Sequence, residues 1–381
     1  MKYVDEFRNP QLARRLIDQI RSTVSQPWVL MDVCGGQTHS LLRNGIEAAL
    51  NDCIELVHGP GCPVCVTSTE AIDFAQALAR RPGFMLASFG DMLRVPGSRA
   101  SLLDVRAWHG QQNDDSTCDQ VGHVQIVYSP LDAVELARQN PTTQIVFFGV
   151  GFETTVPSTA LAILHAEKLG LTNFSVLASH VRVLPAMEAL MLNPETRVQG
   201  FLAAGHVCTI TGFEAYRCFA ERFQVPVVVA GFEPLDLLQA ILVAVEQLEH
   251  GLTTVSNCYA RSVRMTGNTR ALETVERVYE VADKSWRGFG VISGGGYQIR
   301  ETYRSFDAEK RFGSYRDLPI TAPDMCMGAD VLSGRIKPPQ CSFFGKQCTT
   351  DHPLGAPMVS SEGACAAYMR YQTRDSAASV S

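Results

Sequence analysis

Two rhythms alternate along this chain: short continuous apolar runs, and longer stretches with apolar residues at helical spacing. Asn9-Pro10 reads as a helix start, with Asn as N-cap and Pro at the first helical position. Leu12, Leu16, Ile17, Ile20 and Val24 then give one apolar face that ends before Pro27. A strand over Trp28–Val33 is followed by a helical pattern carrying Leu41, Leu42, Ile46, Ala49 and Leu50. Ile54–Val57 is a short strand, and Thr67 with Glu70 has capping-box spacing for a helix running to about Arg80. Phe84–Ser88 is a buried-type strand. From Arg94 to Gly122 the pattern is weak, and Gln111–Asp119 is polar enough for a mobile loop. Strands are then expected over Val124–Tyr128, Gln144–Phe148, Phe174–Ala178, Phe201–Ala204 and Val225–Ala230. Helices over Leu131–Gln139, Pro157–Leu169, Pro185–Leu192, Phe213–Phe223 and Pro234–Glu249 separate and follow them.

Such alternation means βαβ units and parallel sheets covered on both faces. The strands suffice for two sheets, with a division expected near residues 120 to 145. Gly-Phe-Glu recurs at 151–153, 212–214 and 231–233, each time between a strand and a helix, a weak internal echo. Helix-start chemistry explains it adequately, since glutamate suits the positive end of a helix. After Val263 the texture changes. Leu272–Ala282 reads as one more helix, Gly294-Gly295-Gly296 as a turn or close-approach site, and long sheet-like runs disappear. From Thr321 on, Pro, Gly and Cys dominate. The expected fold class is therefore α/β: two similar parallel-sheet domains over 1–130 and 131–260, and a small loop- and helix-rich unit over 261–381.

A length of 381 residues agrees with two or three domains, and 46% hydrophobic with 19% charged residues describes a well-packed chain. A net charge of −6 without a basic stripe argues against a nucleic-acid partner. Lys2, Asp5, Glu6 and Arg8 leave no apolar signal-peptide core at the start, and no run approaches the ~20 apolar residues that span a bilayer. The expectation is a cytoplasmic protein with no membrane association.

Twelve cysteines alter that plain picture. Without a sign of export they point to metal, cluster or redox chemistry rather than a disulfide framework. Cys53, Cys118, Cys208, Cys218 and Cys258 sit singly and read as buried or tolerated thiols. Cys326, Cys341, Cys348 and Cys365 fall in the small C-terminal unit. Their irregular gaps suit an iron–sulfur cluster better than zinc, whose paired knuckles are absent. Cys62-Pro63-Val64-Cys65 has the spacing of a redox dithiol upstream of a helix, with half a zinc knuckle as the alternative.

Cys34 stands apart, at a strand end beside Gly35-Gly36 and at the mouth of a helix. Glycines there let a backbone approach closely or turn with φ > 0. As a nucleophile, metal ligand or buried thiol, Cys34 has Thr38 and His39 nearby to supply a proton acceptor or hydrogen bond. His58, His180 and His206 each follow a strand-like run and either line the same crevice or are satisfied loop histidines. Glu153, Thr154 and Thr155 follow a glycine-rich turn that lacks the dinucleotide fingerprint; they bind a ligand or merely cap a helix. No phosphate-binding loop, H-E-x-x-H or G-x-S-x-G occurs.

Taken together, the segments 34–39 (CGGQTH), 59–65 (GPGCPVC), 151–155 (GFETT), 341–348 (CSFFGKQC) and 358–368 (MVSSEGACAAY) resemble the HypD family of hydrogenase maturation factors. The resemblance covers nearly the whole chain. It implies a scaffold for the Fe(CN)2CO unit of [NiFe] hydrogenases, with two α/β domains around a cleft and a third domain holding a [4Fe–4S] cluster. It implies a HypC-type chaperone as partner and HypE, with HypF, as cyanide donor. By motif, Cys34 is then the iron ligand, Thr38 and His39 support it, and Cys62 and Cys65 form a redox pair. Cys326, Cys341, Cys348 and Cys365 hold the cluster, and Glu153, in the matching segment 151–155, is counted with Cys34, Thr38, His39, Cys62 and Cys65 as a candidate catalytic residue. Soft thiolate ligation suits such iron. The chain departs from many members at Gly328 and Pro357, where a pair of further cysteines is missing together. A stand-alone iron–sulfur oxidoreductase acting on a small substrate is the competing reading, and a zinc-stabilised binding module a third.

Overall fold

The computed structural model describes residues 5–112, 123–316 and 325–378 of the chain. In chain order the strands are β1 (Trp28–Asp32), β2 (Ile54–His58), β3 (Phe84–Ser88), β4 (His123–Ile126), β5 (Gln144–Gly151) and β6 (Phe174–His180). They continue with β7 (Gly200–Ala204), β8 (Val227–Ala230), β9 (Val255–Asn257), β10 (Tyr279–Trp286) and β11 (Gly290–Ile299). One sheet has the order β2-β1-β7-β8-β9 and a second the order β4-β3-β5-β6. All neighbours within these two sheets are parallel. The α/β expectation with parallel sheets therefore holds. The continuous apolar runs follow from burial on both faces: every residue of β6 and of β7 is buried.

The sheets do not divide the chain into contiguous halves. The first is built from residues 28–58 and 200–257, while the second is built from 84–180 between them. Neither the expected division near residues 120 to 145 nor a boundary at residue 130 matches this pairing. Strand order in a parallel sheet is set by non-local packing that no local signal encodes.

Several local expectations also change. The helix after Cys34 is interrupted: Gly35–Arg43 is followed by Ile46–Leu50, with Gly45 between them at φ 66°. Ser68, not Thr67, caps Thr69–Ala79, accepting from the Ala71 N–H, while Thr67 donates to Pro63 O. A helix over Leu102–Gln112 lies in the stretch of weak pattern. From residue 113 on, the polar loop expected over Gln111–Asp119 lies outside the described residues, and so does Cys118. A second unforeseen helix, Gly205–Thr211, follows β7 directly.

Beyond residue 261 sheet structure does not disappear. The helix expected to Ala282 ends at Val278, and Tyr279 opens an antiparallel hairpin of β10 and β11. Gly294-Gly295-Gly296 lies within β11, and Gly296 bridges to Val181 so closely that a Cβ would fall 2.6 Å from the His180 carbonyl. No helix among the described residues is long and apolar enough to cross a membrane.

Candidate functional site

Because β1, β2, β7 and β8 are parallel neighbours, the loops after them emerge at one edge of the first sheet, the edge at which open α/β sheets bind ligands. Cys34 follows β1, Gly59–Cys65 follows β2, His206 follows β7 and Phe232 follows β8. Cys34 is 2% exposed and is the N-cap residue of the helix Gly35–Arg43. Its Sγ lies 3.6 Å from His206 Nδ1. A Cβ at Gly36 would touch both the Phe232 ring and the Cys34 Sγ. Gly35 N–H donates to the Gly61 carbonyl over 3.0 Å. Gly35 also admits the C-terminal segment, since a Cβ there would lie 2.3 Å from the Glu362 carbonyl oxygen. Both glycines beside Cys34 thus serve close approach, with φ in the ordinary range.

Burial pushes the Cys34 thiol far up, although the backbone N–H groups of Gln37 and Gly36 pull the other way. Burial likewise lowers His206 to about 4, so the imidazole facing the thiol is neutral at pH 7. Without a cation this socket favours a protonated sulfur, and a metal ion would reverse that preference.

A charged network lies behind the socket. Asp32 and His58 are register partners on adjacent strands, and their side chains meet at His58 Nδ1. His58 Nε2 reaches Glu47 at 3.2 Å. Burial opposes the imidazolium, but Asp32 and Glu47 outweigh it and hold His58 at about 9. Burial also opposes the Glu47 charge, yet His58 and Lys337 bring that carboxyl down to about 2. Thr38 Oγ1 donates to Asp32 over 2.6 Å and to the Cys34 carbonyl over 3.2 Å.

Cys62 and Cys65 are joined as a disulfide beside this loop. Gly61 lies against Cys34, so Cys62 follows directly from that contact. On its far side Cys65 Sγ meets the Ala356 carbonyl at 3.8 Å. Ala356 is flanked by Gly355 and Pro357, which line a small cavity partly open to solvent. Cys326, Cys341, Cys348 and Cys365 line the same cavity, among Val331, Phe343, Phe344 and Met358. Burial first, and then the neighbouring thiols of Cys326, Cys348 and Cys341, push the Cys365 thiol up. Among the described residues no three His, Cys, Asp or Glu side chains are arranged to hold a metal ion; the four cysteines share the lining of one cavity. Gly328 and Pro357 are in contact here, a Cβ at Gly328 falling 3.1 Å from Pro357 Cγ. The two positions without the further cysteines are thus spatial neighbours.

The other candidates are dispersed. His39 turns to the C-terminal helix, with Nε2 2.6 Å from the Tyr371 hydroxyl. Glu153, at the end of β5 in the second sheet, accepts from Val183 N–H, and burial raises it to about 7. His180 is fully buried and meets Thr159 Oγ1. Cys208 is buried near Tyr216, and burial raises its thiol to about 12. Cys218 is exposed, and Cys53 and Cys258 are half-buried. Sequence reasoning kept His206 among three equivalent histidines and missed Asp32, Glu47, Lys337, Tyr368 and Glu362. For His206 the available signal was its place just after an apolar strand, which it shared with His58 and His180; the pairing of that strand with β1 came only with the structure.

Comparison with known proteins adds a second line. The family model HypD, described as the hydrogenase formation hypA family, matches residues 11–372. The hydrogenase maturation factor HypD of Rhodobacter capsulatus is 44% identical over 382 residues, 97% of this chain and 98% of that protein. The hydrogenase expression/formation protein HupD of Azotobacter chroococcum is 44% identical over 389 residues, covering 99% of each chain. The hydrogenase maturation factor HypD of Escherichia coli is 40% identical over 386 residues, 99% of this chain and 100% of that protein.

Proposed function

The chain belongs to the HypD family of hydrogenase maturation factors, and on that premise we propose that it is the scaffold and redox factor on which the Fe(CN)2CO unit of [NiFe] hydrogenases is built. The observation that carries this reading is one line of sulfur groups. Cys34 in its socket adjoins Gly61-Cys62, the Cys62–Cys65 disulfide reaches the Ala356 carbonyl, and Ala356 borders the cavity lined by four cysteines.

In this reading the iron unit is cargo held by the Cys34 thiolate, and its second thiolate comes from a HypC-type chaperone docked at the open edge of the cleft. Binding iron replaces the S–H proton, which leaves to solvent, and His206 Nδ1, 3.6 Å from the sulfur, is placed to orient it by a hydrogen bond. A neutral imidazole does not compete electrostatically with the cation. Thr38 fixes the loop through Asp32 and the Cys34 carbonyl, while Phe232 and Gly36 wall the sulfur from bulk water. HypE, supplied by HypF, is the cyanide donor.

The four C-terminal cysteines suit a [4Fe–4S] cluster: they line one apolar cavity, and burial with the three neighbouring thiols disfavours a bare Cys365 thiolate. When bound, such a cluster supplies one-electron chemistry. Opening the Cys62–Cys65 bond consumes two electrons and two protons and yields two thiols. In this reading the Cys62/Cys65 pair is a two-electron store between the cavity and Cys34.

Anaerobic co-purification with the chaperone, followed by infrared spectroscopy of the wild type and Cys34→Ala, tests this function. Cyanide and carbonyl bands are expected in the wild type and lost in the variant. Bands of equal strength in both would overturn the assignment.

A further inference from the structure

The network behind the Cys34 socket has two ends, and they lie in different parts of the chain. At one end Thr38 holds both Asp32 and the Cys34 carbonyl. At the other, Glu47 Oε1 accepts from Lys337 Nζ and from the Tyr368 hydroxyl, each over 2.6 Å. Tyr368 OH also lies 3.3 Å from His58 Nε2. Lys337 and Tyr368 bracket three of the four cavity cysteines in sequence, Cys341, Cys348 and Cys365. Lys337 precedes Cys341 by one short helical turn, and Tyr368 follows Cys365 by one turn of the helix Ala364–Ala378. Asp32, His58 and Tyr368 are at most 3% exposed.

Burying ion pairs in this way brings little net stability, because desolvation cancels much of the attraction. An apolar cluster of the same volume would pack at least as well. What a hydrogen-bonded chain adds is geometry, since each member accepts only one arrangement of its neighbours. The two arms of the chain carry different segments of the cavity, so the cavity walls and the Cys34 loop share one set of bonds.

We propose that His58 and Tyr368 are positioning residues for Cys34, holding it in its socket only while the segments that bear Cys341 and Cys365 are seated. Iron is then received by a chain whose C-terminal cavity is already formed. The coupling concerns the segments themselves, and rests on the function proposed above only in naming Cys34 as the iron ligand.

The test is alkylation of the full-length protein by iodoacetamide, read cysteine by cysteine by mass spectrometry. Tyr368→Phe keeps the ring and removes the hydroxyl. It is expected to raise the labelling rate of Cys34 by about 5-fold or more, the usual scale of coupling between sites, while buried Cys208 is unchanged. His58→Gln, which keeps polar atoms at the same place, is expected to give a smaller rise than His58→Ala. Unchanged Cys34 labelling in Tyr368→Phe would overturn the proposal, and so would parallel rises at Cys34 and Cys208, the sign of general loosening. Iron and sulfide analysis of the same samples separates the readings. Selective exposure of Cys34 in a chain that holds no cluster would leave the positioning role standing and remove the cluster.

Discussion

Gly61 and Cys34 lie backbone to backbone: a methyl group on Gly61 would sit 2.3 Å from the Cys34 nitrogen and 2.4 Å from its Cα. Neither neighbour is a flexible side chain, so the loop after β2 and the loop after β1 would have to separate. Gly61→Ala is expected to destabilise the fold by at least about 1–3 kcal/mol, as overpacking does, and to displace Cys34 from His206. Gly45→Ala is the control, with open space around it but φ 66°, and is expected to cost only about 1 kcal/mol. Urea midpoints compare the two; equal shifts would contradict the close contact.

His206 is the polar side chain facing the Cys34 sulfur. Replacing it with Ala is expected to slow iron loading of the purified protein several-fold, with His206→Gln restoring part of the rate because it can still donate and accept. Stopped-flow absorbance under anaerobic conditions measures this. Identical loading rates in wild type and His206→Ala would remove His206 from the site.

Gly355 supports the cysteine cavity by having no side chain. A methyl there would fall 2.0 Å from Cys326 Sγ and 2.8 Å from its Cβ. Gly355→Ala is therefore expected to swing Cys326 away from the other three sulfurs and to lower iron and acid-labile sulfide per chain, with far-UV circular dichroism unchanged. Full iron content in this variant would show that Cys326 is not a ligand.

The buried charges predict a pH window. His58 is raised from 6.5 to about 9, so its contribution to stability is complete below pH 6.5 and is lost as pH rises through 9. Glu47 is lowered from 4.5 to about 2, so its contribution is complete above pH 4.5 and is lost as pH falls through 2. The network is thus strongest between about pH 4.5 and 6.5. The Tm difference between wild type and His58→Gln is expected to be largest in that window and to shrink toward pH 9. A difference that grows with pH would reverse the assigned charge.

Much of this was legible in the chain, and for physical reasons. Apolar runs such as Phe174–Ala178 and Val225–Ala230 are long enough to bury on both faces and bounded by clear breaks, so the strands and the α/β class follow. Cys34 announced itself through its glycines, and the four late cysteines through their density in a region poor in apolar anchors. The β10–β11 hairpin was hidden because the helix Thr269–Val278 passes into Tyr279 without glycine or proline. The network of Asp32, Glu47, His58, Lys337 and Tyr368 has no motif, since five ordinary polar residues acquire meaning only when register and helical pitch bring them together. The interleaving of the two sheets was equally hidden, because each strand looks the same whichever neighbour it will take.

That interleaving has a consequence for the time during which the protein is being made. Cys34 leaves the ribosome early, but its walls come later: the histidine at 206, the phenylalanine at 232, and the segment at 362 that closes over Gly35. At about 5–20 residues per second, the interval between the first of these and the last is on the order of tens of seconds. Throughout it the thiol is an uncovered nucleophile on an unfinished chain. A cell that uses this fold has reason to keep metal and oxidant away from the nascent protein, or to have something bind that loop before the last wall arrives.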